Sequence, residues 1–126
     1  MNVLLDSDIL IEILRMRDEA ILVQWSTLVG SDAVILFSPV SAAEVWAGAR
    51  PKEQNAIAAC FENLLCAAID YETGRLAGDL LLQYHKSHSL EIADALIAAT
   101  ALRNNATLWT RNRKHYPMQQ LTFFTA

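Results

Sequence analysis

Short apolar runs alternate with longer segments of helical periodicity along this chain. The runs over residues 3–5, 34–37 and 107–110 are rich in the branched and aromatic side chains that strands favour. The longer segments between them repeat apolar residues every three or four positions, as helices do when one face packs on a core. Because strands joined through helices usually pair in parallel, the sequence predicts an α/β sandwich with a mostly parallel central sheet flanked by helices.

Serine and proline residues set the expected boundaries of these elements. Ser7 and Ser41 are predicted to cap helices, which puts Asp6 between a strand and a helix and Glu44 in a first helical turn. The remaining expected elements are helices over 20–29, 51–64, 73–85 and 91–103, and strands over 67–69 and 121–124.

Length and composition favour one domain. The chain has 126 residues, 53% of them hydrophobic, and no linker or repeat, so residues 1–126 are expected to share one core. Charged residues interrupt every apolar run before it could span a bilayer, and the first residues lack the basic character of a signal peptide, so a cytoplasmic protein is expected. Cys60 and Cys66 lie in apolar sequence and are expected to be buried, reduced thiols.

Three carboxylates, those of Asp6, Glu44 and Asp94, lie at the centres of apolar segments. A partly buried carboxylate costs several kcal/mol unless a positive charge compensates it, and converging carboxylates also repel one another. A hard divalent cation such as Mg²⁺ or Mn²⁺ resolves both problems with oxygen ligands, and no Cys/His grouping in the sequence suits zinc. The pattern predicts a metal-dependent phosphodiesterase.

The expected topology brings these acids together. In open parallel sheets the ligand site lies beyond the carboxyl ends of the strands, where Asp6, the segment before Glu44 and the turn after Thr110 are expected. Glu91 and Asp94 are three residues apart and can share one face of the late helix. Taken alone, an Asp near a helix start is equally well explained as a cap or as compensation of the helix dipole.

The charge distribution is uneven along the chain. The formal net charge is −4, which argues against indiscriminate binding of nucleic acid. After Asp94, however, no carboxylate follows, whereas four basic residues and a histidine do: Arg103, Arg111, Arg113, Lys114 and His115. This segment is either a modest basic flank beside the acidic site or a solvated surface turn.

Four segments of the chain together resemble the PIN-domain ribonucleases, and among them the VapC-type toxins of prokaryotic toxin–antitoxin pairs. The segments are LDSDILI (5–11), SAAE (41–44), DALIAATA (94–101) and TRNRKHY (110–116). The resemblance implies a three-layer PIN-like sandwich in which Asp6, Glu44 and Asp94 are the metal-binding and catalytic acids. It makes Thr110 and Asn112 supporting residues, with Asp8 and Glu91 as further candidates.

The fourth segment departs from the family pattern. Many relatives carry an additional acid at the position of Asn112 or of His115, and this chain has neither. An amide oxygen can coordinate Mg²⁺ but brings no charge, so a second ion is expected to bind more weakly. His115 is interpreted as a phosphate contact or proton donor, or alternatively as a surface histidine in a turn.

The resemblance also implies an activity and partners. RNA phosphodiesters would be hydrolysed through a metal-activated water, which leaves 5′-phosphate and 3′-hydroxyl ends. Arg111, Arg113, Lys114 and His115 are the expected RNA-binding residues. A cognate VapB-type antitoxin would block the acidic crevice with a basic side chain, and a homodimer is expected. Candidate interface residues are apolar: Leu10, Leu14, Trp25, Trp46 and Leu82.

Three other interpretations remain open from the sequence. Asp6-Ser7-Asp8 after a strand fits a haloacid-dehalogenase-type phosphatase, but Leu10 stands where Thr or Val is expected. A receiver module with Asp70 as its phosphorylated residue would need a Lys before a Pro on the last strand, which is absent. The third is a catalytically inactive PIN fold that only binds its partner, consistent with the incomplete fourth segment.

Overall fold

A parallel sheet of four strands organises the structure, a computed structural model that describes residues 1–125. The strands are β1 (Asn2–Leu5), β2 (Val34–Phe37), β3 (Leu65–Cys66) and β4 (Ala106–Trp109). Their order across the sheet is β3-β2-β1-β4, and every pairing is parallel. In β1, Leu5 lies opposite Phe37 of β2 and Trp109 of β4, so the three longer strands end level with one another.

Six α-helices are described around this sheet. They are α1 (Ser7–Arg15), α2 (Glu19–Val29), α3 (Pro39–Ala47), α4 (Gln54–Glu62), α5 (Tyr71–His88) and α6 (Ile92–Arg103). Short 3₁₀ turns precede α4, at Pro51–Glu53, and follow β4, at Arg113–His115. No helix within residues 1–125 combines the length and apolar character needed to cross a bilayer.

The central strand β1 is enclosed on both of its faces. Leu4 packs in one cluster with residues of α5 and α6, including Leu80 and Ile97. Val3 and Leu5 point the other way, as alternate residues of a strand do, into a cluster with α1, α2 and α4. The prediction of a three-layer α/β fold with a mostly parallel sheet is therefore confirmed, and burial on both faces explains the unbroken apolar run in β1.

Several predicted boundaries differ from those of the structure. Ser38, rather than Ser41, caps α3, because Pro39 suits the first helical position, where no backbone N–H is needed. Glu44 is therefore in the second turn of α3, not in the first. Asp6, rather than Ser7, caps α1, since its side chain accepts the Ser7 backbone N–H.

The edges of the sheet were also predicted imperfectly. The weak strand expected over 67–69 lies two residues earlier, as β3. The strand expected over 121–124 is reduced to one parallel bridge between Phe123 and Leu108. Only Leu108 of β4 exchanges backbone hydrogen bonds with this segment, donating to Thr122 and accepting from Phe124, so no ladder extends from it.

Some side chains expected in one environment are found in another. Cys66 is exposed on β3, at the edge of the sheet, and Cys60 is half-buried, so the prediction of two buried thiols was wrong. Leu10 is fully buried between α1 and the sheet and cannot contribute to an interface. Asp70, the residue considered for a receiver module, caps α5 by accepting the Thr73 backbone N–H and pairs with Arg103.

The buried strands should dominate folding stability. Leu108 of β4 is fully buried, whereas Leu65 of β3 is 58% exposed. We expect Leu108→Ala to lower the free energy of unfolding by about 2–5 kcal/mol through lost burial and a cavity, and Leu65→Ala by less than about 1 kcal/mol. Urea unfolding followed by circular dichroism measures both. Equal losses in the two variants would contradict the described core.

Candidate active site

The site lies at the carboxyl edge of the sheet, on either side of β1. β1 has β2, the next strand in sequence, on one side and β4, the last strand, on the other. The connections that leave the carboxyl ends of these strands run to opposite sides of β1, and a crevice opens between them. Asp6 directly follows β1, and its backbone N–H donates to the Trp109 carbonyl at 3.0 Å. This hydrogen bond holds the start of α1 beside the end of β4.

Asp6 is a buried carboxylate, 7% exposed, with donors on both oxygens. Its Oδ1 accepts the Ser7 backbone N–H at 2.8 Å. Its Oδ2 accepts the Thr110 hydroxyl at 2.9 Å and the Tyr116 hydroxyl at 2.8 Å. Burial and the neighbouring negative charge of Asp6 raise the pKa of Tyr116, so its phenol remains a proton donor to Asp6.

Glu44 reaches the same crevice from α3. The Ser7 hydroxyl donates to Glu44 Oε1 at 2.7 Å and lies 3.4 Å from Asp6 Oδ1. Ser7 is buried, so its hydroxyl has a fixed place between the two acids. A single side chain thus connects the carboxylates of α1 and α3.

Asp94 completes the acidic wall from the first turn of α6. Burial raises the pKa of Asp94, the charge of His115 opposes that shift, and the carboxylates of Asp6, Glu91 and Glu44 add to it. These residues line one open cleft of about 530 Å³. The predicted site residues along its wall are Asp6, Asp8, Glu44, Glu91, Asp94, Asn112, Lys114 and His115.

Thr110 contacts Asp6 but lines the depression that contains Arg111 and Arg113, not this cleft. Its hydroxyl accepts the Asn112 backbone N–H at 3.0 Å while it donates to Asp6. Asp8 lies beside the same loop, where its Oδ2 accepts the Arg111 backbone N–H at 2.9 Å and the Asn112 side-chain amide at 3.1 Å. Burial and the charge of Asp6 raise the pKa of Asp8.

Arg111 and Arg113 face away from the cleft. The Arg111 guanidinium pairs with Glu12 at 3.3 Å, and Arg113 lies 5.1 Å over the Phe123 ring and donates to the Phe124 carbonyl. Both line a separate depression of about 370 Å³ between α2 and the C-terminal segment. Among the four basic residues expected to contact RNA, Lys114 and His115 border the acids, and the roles of all four stay predictions.

Sequence reasoning overlooked four residues of the site. Ser7 was predicted only as a cap, although a hydroxyl directly after an expected metal-binding acid could have indicated its role. Tyr116 lies within the fourth segment, but no local pattern indicates a partner at Asp6. His88 and Ser89, from the end of α5 and the residue after it, also line the cleft.

The donor set of the cleft fits a hard divalent cation. No three His, Cys, Asp or Glu side chains within residues 1–125 are grouped closely enough to enclose an ion by themselves. Mg²⁺, however, commonly binds through one or two carboxylates and keeps several waters. The oxygens of Asp6, Glu44 and Asp94 around an open cleft meet that requirement, and burial together with the neighbouring carboxylates raises the pKa of Asp94.

Replacing Asp94 with Asn should stabilise the ion-free protein at neutral pH. Because the pKa of Asp94 is raised by folding, the folded state binds this proton more tightly than the unfolded state does. The carboxylate therefore begins to destabilise the fold as pH rises above its ordinary pKa of 3.8, and does so fully above its raised pKa.

Urea unfolding in EDTA across this pH range measures the effect. The stability difference between Asp94→Asn and the natural chain should grow with pH and then level off. Asp79→Asn, on the exposed face of α5, is the matched control and should show no such growth. A difference for Asp94→Asn that does not depend on pH would contradict the described electrostatics.

The chain is similar in sequence to known proteins. The sequence profile of the PIN domain matches residues 3–120. Ribonuclease VapC19 of Mycobacterium tuberculosis is 33% identical over 116 residues, which cover 91% of this chain and 92% of that protein.

Solved structures also share the fold. VapBC2 from Rickettsia felis, bound to a DNA fragment from its promoter, superposes with a TM-score of 0.79 at 24% identity, covering 98% of both chains. A toxin–antitoxin complex from Klebsiella pneumoniae superposes with a TM-score of 0.75 at 23% identity, covering 95% of both chains. The profile match and the VapC19 identity, each over most of the chain, show that this protein belongs to the PIN-domain family, among the VapC-type proteins.

Proposed function

We propose that this protein is an endoribonuclease toxin that hydrolyses RNA phosphodiesters with the help of Mg²⁺ or Mn²⁺. The observation that carries the proposal is the convergence of Asp6, Glu44 and Asp94, from three distant segments, on one cleft bordered by Lys114 and His115. Family membership and a relative named as a ribonuclease support it. The proposal covers residues 1–126 as one domain acting in the cytoplasm, where RNA is available.

Asp6, Glu44 and Asp94 are the residues that would hold the ion. When bound, a divalent cation supplies Lewis acidity to the phosphate and lowers the pKa of a coordinated water. Glu91, on the cleft wall beside α6, adds negative charge that favours a cation there. Asn112 brings no negative charge to the cleft, which supports a single tightly held ion rather than two.

The hydroxyl groups around the acids fix their orientation. Thr110 and Tyr116 occupy Oδ2 of Asp6, which leaves Oδ1 as the oxygen nearer to Ser7 and Glu44. Ser7 holds Glu44 at Oε1 and leaves its other oxygen available. Such fixed ligands lower the reorganisation that the site would need during the reaction.

Lys114 and His115 are the chain's candidates for contacts with the substrate phosphates. Both line the cleft, and Lys114 brings a positive charge to the side of the acids. A cationic border attracts the RNA backbone, which carboxylates alone would repel. Arg111 and Arg113, engaged with Glu12 and Phe123, would contact RNA only outside the cleft.

The proposed inhibitor is a VapB-type antitoxin. A groove of about 250 Å³, lined by both apolar and charged residues, runs between α1, α3 and α4 and shares Ile11 and Glu44 with the acidic cleft. An antitoxin segment lying in that groove would bring a basic side chain directly to the acids, where a guanidinium can pair with carboxylates and compete with the ion. A structural relative is a toxin–antitoxin complex, which supports this partner.

The proposed homodimer would use the outer face of α5 and the start of α6. Leu82 is 88% exposed and Ile92 is 66% exposed, and both line a broad apolar groove there. Trp46 is exposed on α3, whereas Leu14 and Trp25 are half-buried. Two exposed side chains in one groove make the face of α5 the better candidate for contact with a second copy.

A catalytically inactive partner-binding protein is the second candidate function. It is favoured by one observation, the presence of Asn112 and His115 where many relatives carry an acid. Activity measurements decide between the two functions.

Cleavage of RNA should depend on both the ion and Asp94. We expect purified protein to cut total cellular RNA into discrete fragments with Mg²⁺ or Mn²⁺ and not with EDTA. Asp94→Asn should lose at least about a hundredfold in rate, because it removes a charged ligand. End mapping should find 5′-phosphate and 3′-hydroxyl products.

Asp79→Asn is the matched control for this experiment, since it makes the same chemical change on an exposed helix face. It should cleave as the natural chain does. Products with a 2′,3′-cyclic phosphate would exclude hydrolysis by water. Absence of any cleavage would favour the partner-binding function.

A charge on α5 should separate the two copies of a dimer. We expect light scattering at micromolar concentration to give twice the 14.0 kDa chain mass for the natural protein and the single-chain mass for Leu82→Glu. Leu65→Glu, exposed on β3, is the control and should remain dimeric. A monomeric natural protein would refute the proposed dimer.

A further inference from the structure

Two acids on α1 hold the loop that follows β4. Asp8 and Glu12 are one helical turn apart, so their side chains share a face of α1. Asp8 accepts the Arg111 backbone N–H and the Asn112 side-chain amide, both at Oδ2. Glu12 pairs with the Arg111 guanidinium at 3.3 Å. The backbone and the side chain of Arg111 are therefore both attached to α1.

The Oδ2 atom of Asp8 is engaged with the loop that follows β4. Oδ2 already accepts two hydrogen bonds, at 2.9 and 3.1 Å. Oδ1 is shielded from solvent and has no hydrogen-bond partner within residues 1–125. Although Asp8 borders the cleft, its carboxylate binds groups of the protein itself, the Arg111 backbone N–H and the Asn112 amide.

Glu12 is buried, with 8% of the residue exposed, and its carboxylate pairs with two arginine side chains. Arg17 pairs with Glu12 Oε1 at 2.7 Å, and Arg111 approaches the same oxygen. A buried carboxylate needs such partners, and losing one of them leaves an uncompensated charge. This pairing draws the Arg111 side chain away from the cleft and toward α1.

The attached loop in turn supports Asp6. Thr110 precedes Arg111, and its hydroxyl donates to Asp6 Oδ2 while it accepts the Asn112 backbone N–H. A loop free to move would carry Thr110 with it and release one of the donors that orient Asp6. A chain of hydrogen bonds thus leads from Asp8, through residues 110–112, to the acid at the end of β1.

We propose that Asp8 is a positioning residue which, with Glu12, fastens residues 110–112 to α1 and so orients the Asp6 carboxylate. Its function is to accept hydrogen bonds, not to ligate an ion. The effect on RNA cleavage rests on the proposed nuclease function, whereas the attachment of the loop does not. Asn112 is the side chain that donates to Asp8. An amide suits position 112 because a carboxylate already faces it from α1.

Three variants separate an acceptor from a ligand. Asp8→Asn keeps an oxygen that can accept from Arg111 and Asn112 but removes the charge. Asp8→Ala removes both the acceptor and the charge. Asn112→Asp replaces the donor with a carboxylate and sets two negative oxygens about 3 Å apart, near the present distance of 3.1 Å.

The experiment measures hydrogen exchange of the Arg111 amide by NMR and Mg²⁺ affinity by calorimetry, on the full chain. We expect the Arg111 amide to exchange about tenfold faster in Asp8→Ala and Asn112→Asp, and within about threefold of the natural rate in Asp8→Asn. Mg²⁺ affinity and RNA cleavage should fall about 10–100-fold in Asp8→Ala and be largely retained in Asp8→Asn.

Equal losses of Mg²⁺ affinity in Asp8→Asn and Asp8→Ala would overturn the proposal and make Asp8 a ligand. Unchanged Arg111 exchange in Asp8→Ala would also overturn it. If Asp8→Ala fails to fold, Asn112→Asp tests the same attachment from the other side. If the natural chain cleaves no RNA, the nuclease proposal fails, and amide exchange still decides whether Asp8 holds the loop.

Discussion

The burial of the Asp6 carboxylate constrains the rest of this structure. Because β1 is enclosed on both faces, the residue that follows it starts α1 inside the protein, where a charge requires donors. Ser7 supplies one from the adjacent position, and Thr110 and Tyr116 supply two more from 104 and 110 residues further along the chain. The C-terminal segment is thereby held against the first strand, and the acid is fixed before any ligand binds.

The parts of this arrangement that depend on local pattern could be predicted from the sequence. An apolar run followed by an acid and then by apolar residues at helical spacing predicted β1 and the position of Asp6 after it. Apolar residues at helical spacing in α6 likewise predicted the helix that carries Asp94. The convergence of Asp6 and Glu44 followed from a general property of parallel sheets, whose carboxyl ends meet at one edge. These inferences needed only the order of the elements and the period of each.

The remainder depends on contacts that no local pattern encodes. Ser38 and Ser41 are both acceptable caps, and the proline between them decided which one begins α3. The burial of Leu10 depends on where α1 lies against the sheet. The orientation of Arg111 toward Glu12, and not toward the cleft, depends on a pairing across 99 residues of sequence. In their local sequence both residues look like ordinary surface charges, so no pattern indicates that they pair.

The hydrogen bond from Tyr116 to Asp6 has a consequence for synthesis of the protein. Translation at about 5–20 residues per second separates the emergence of these two residues by roughly 5–20 s. For most of that interval the nascent chain carries Asp6 without a complete α6 (Ile92–Arg103), and for all of it without Tyr116, so the cleft is not yet assembled. The cleft is therefore completed only after almost the whole chain has been synthesised, and a chain that ends before residue 116 lacks the Tyr116 donor to its first acid.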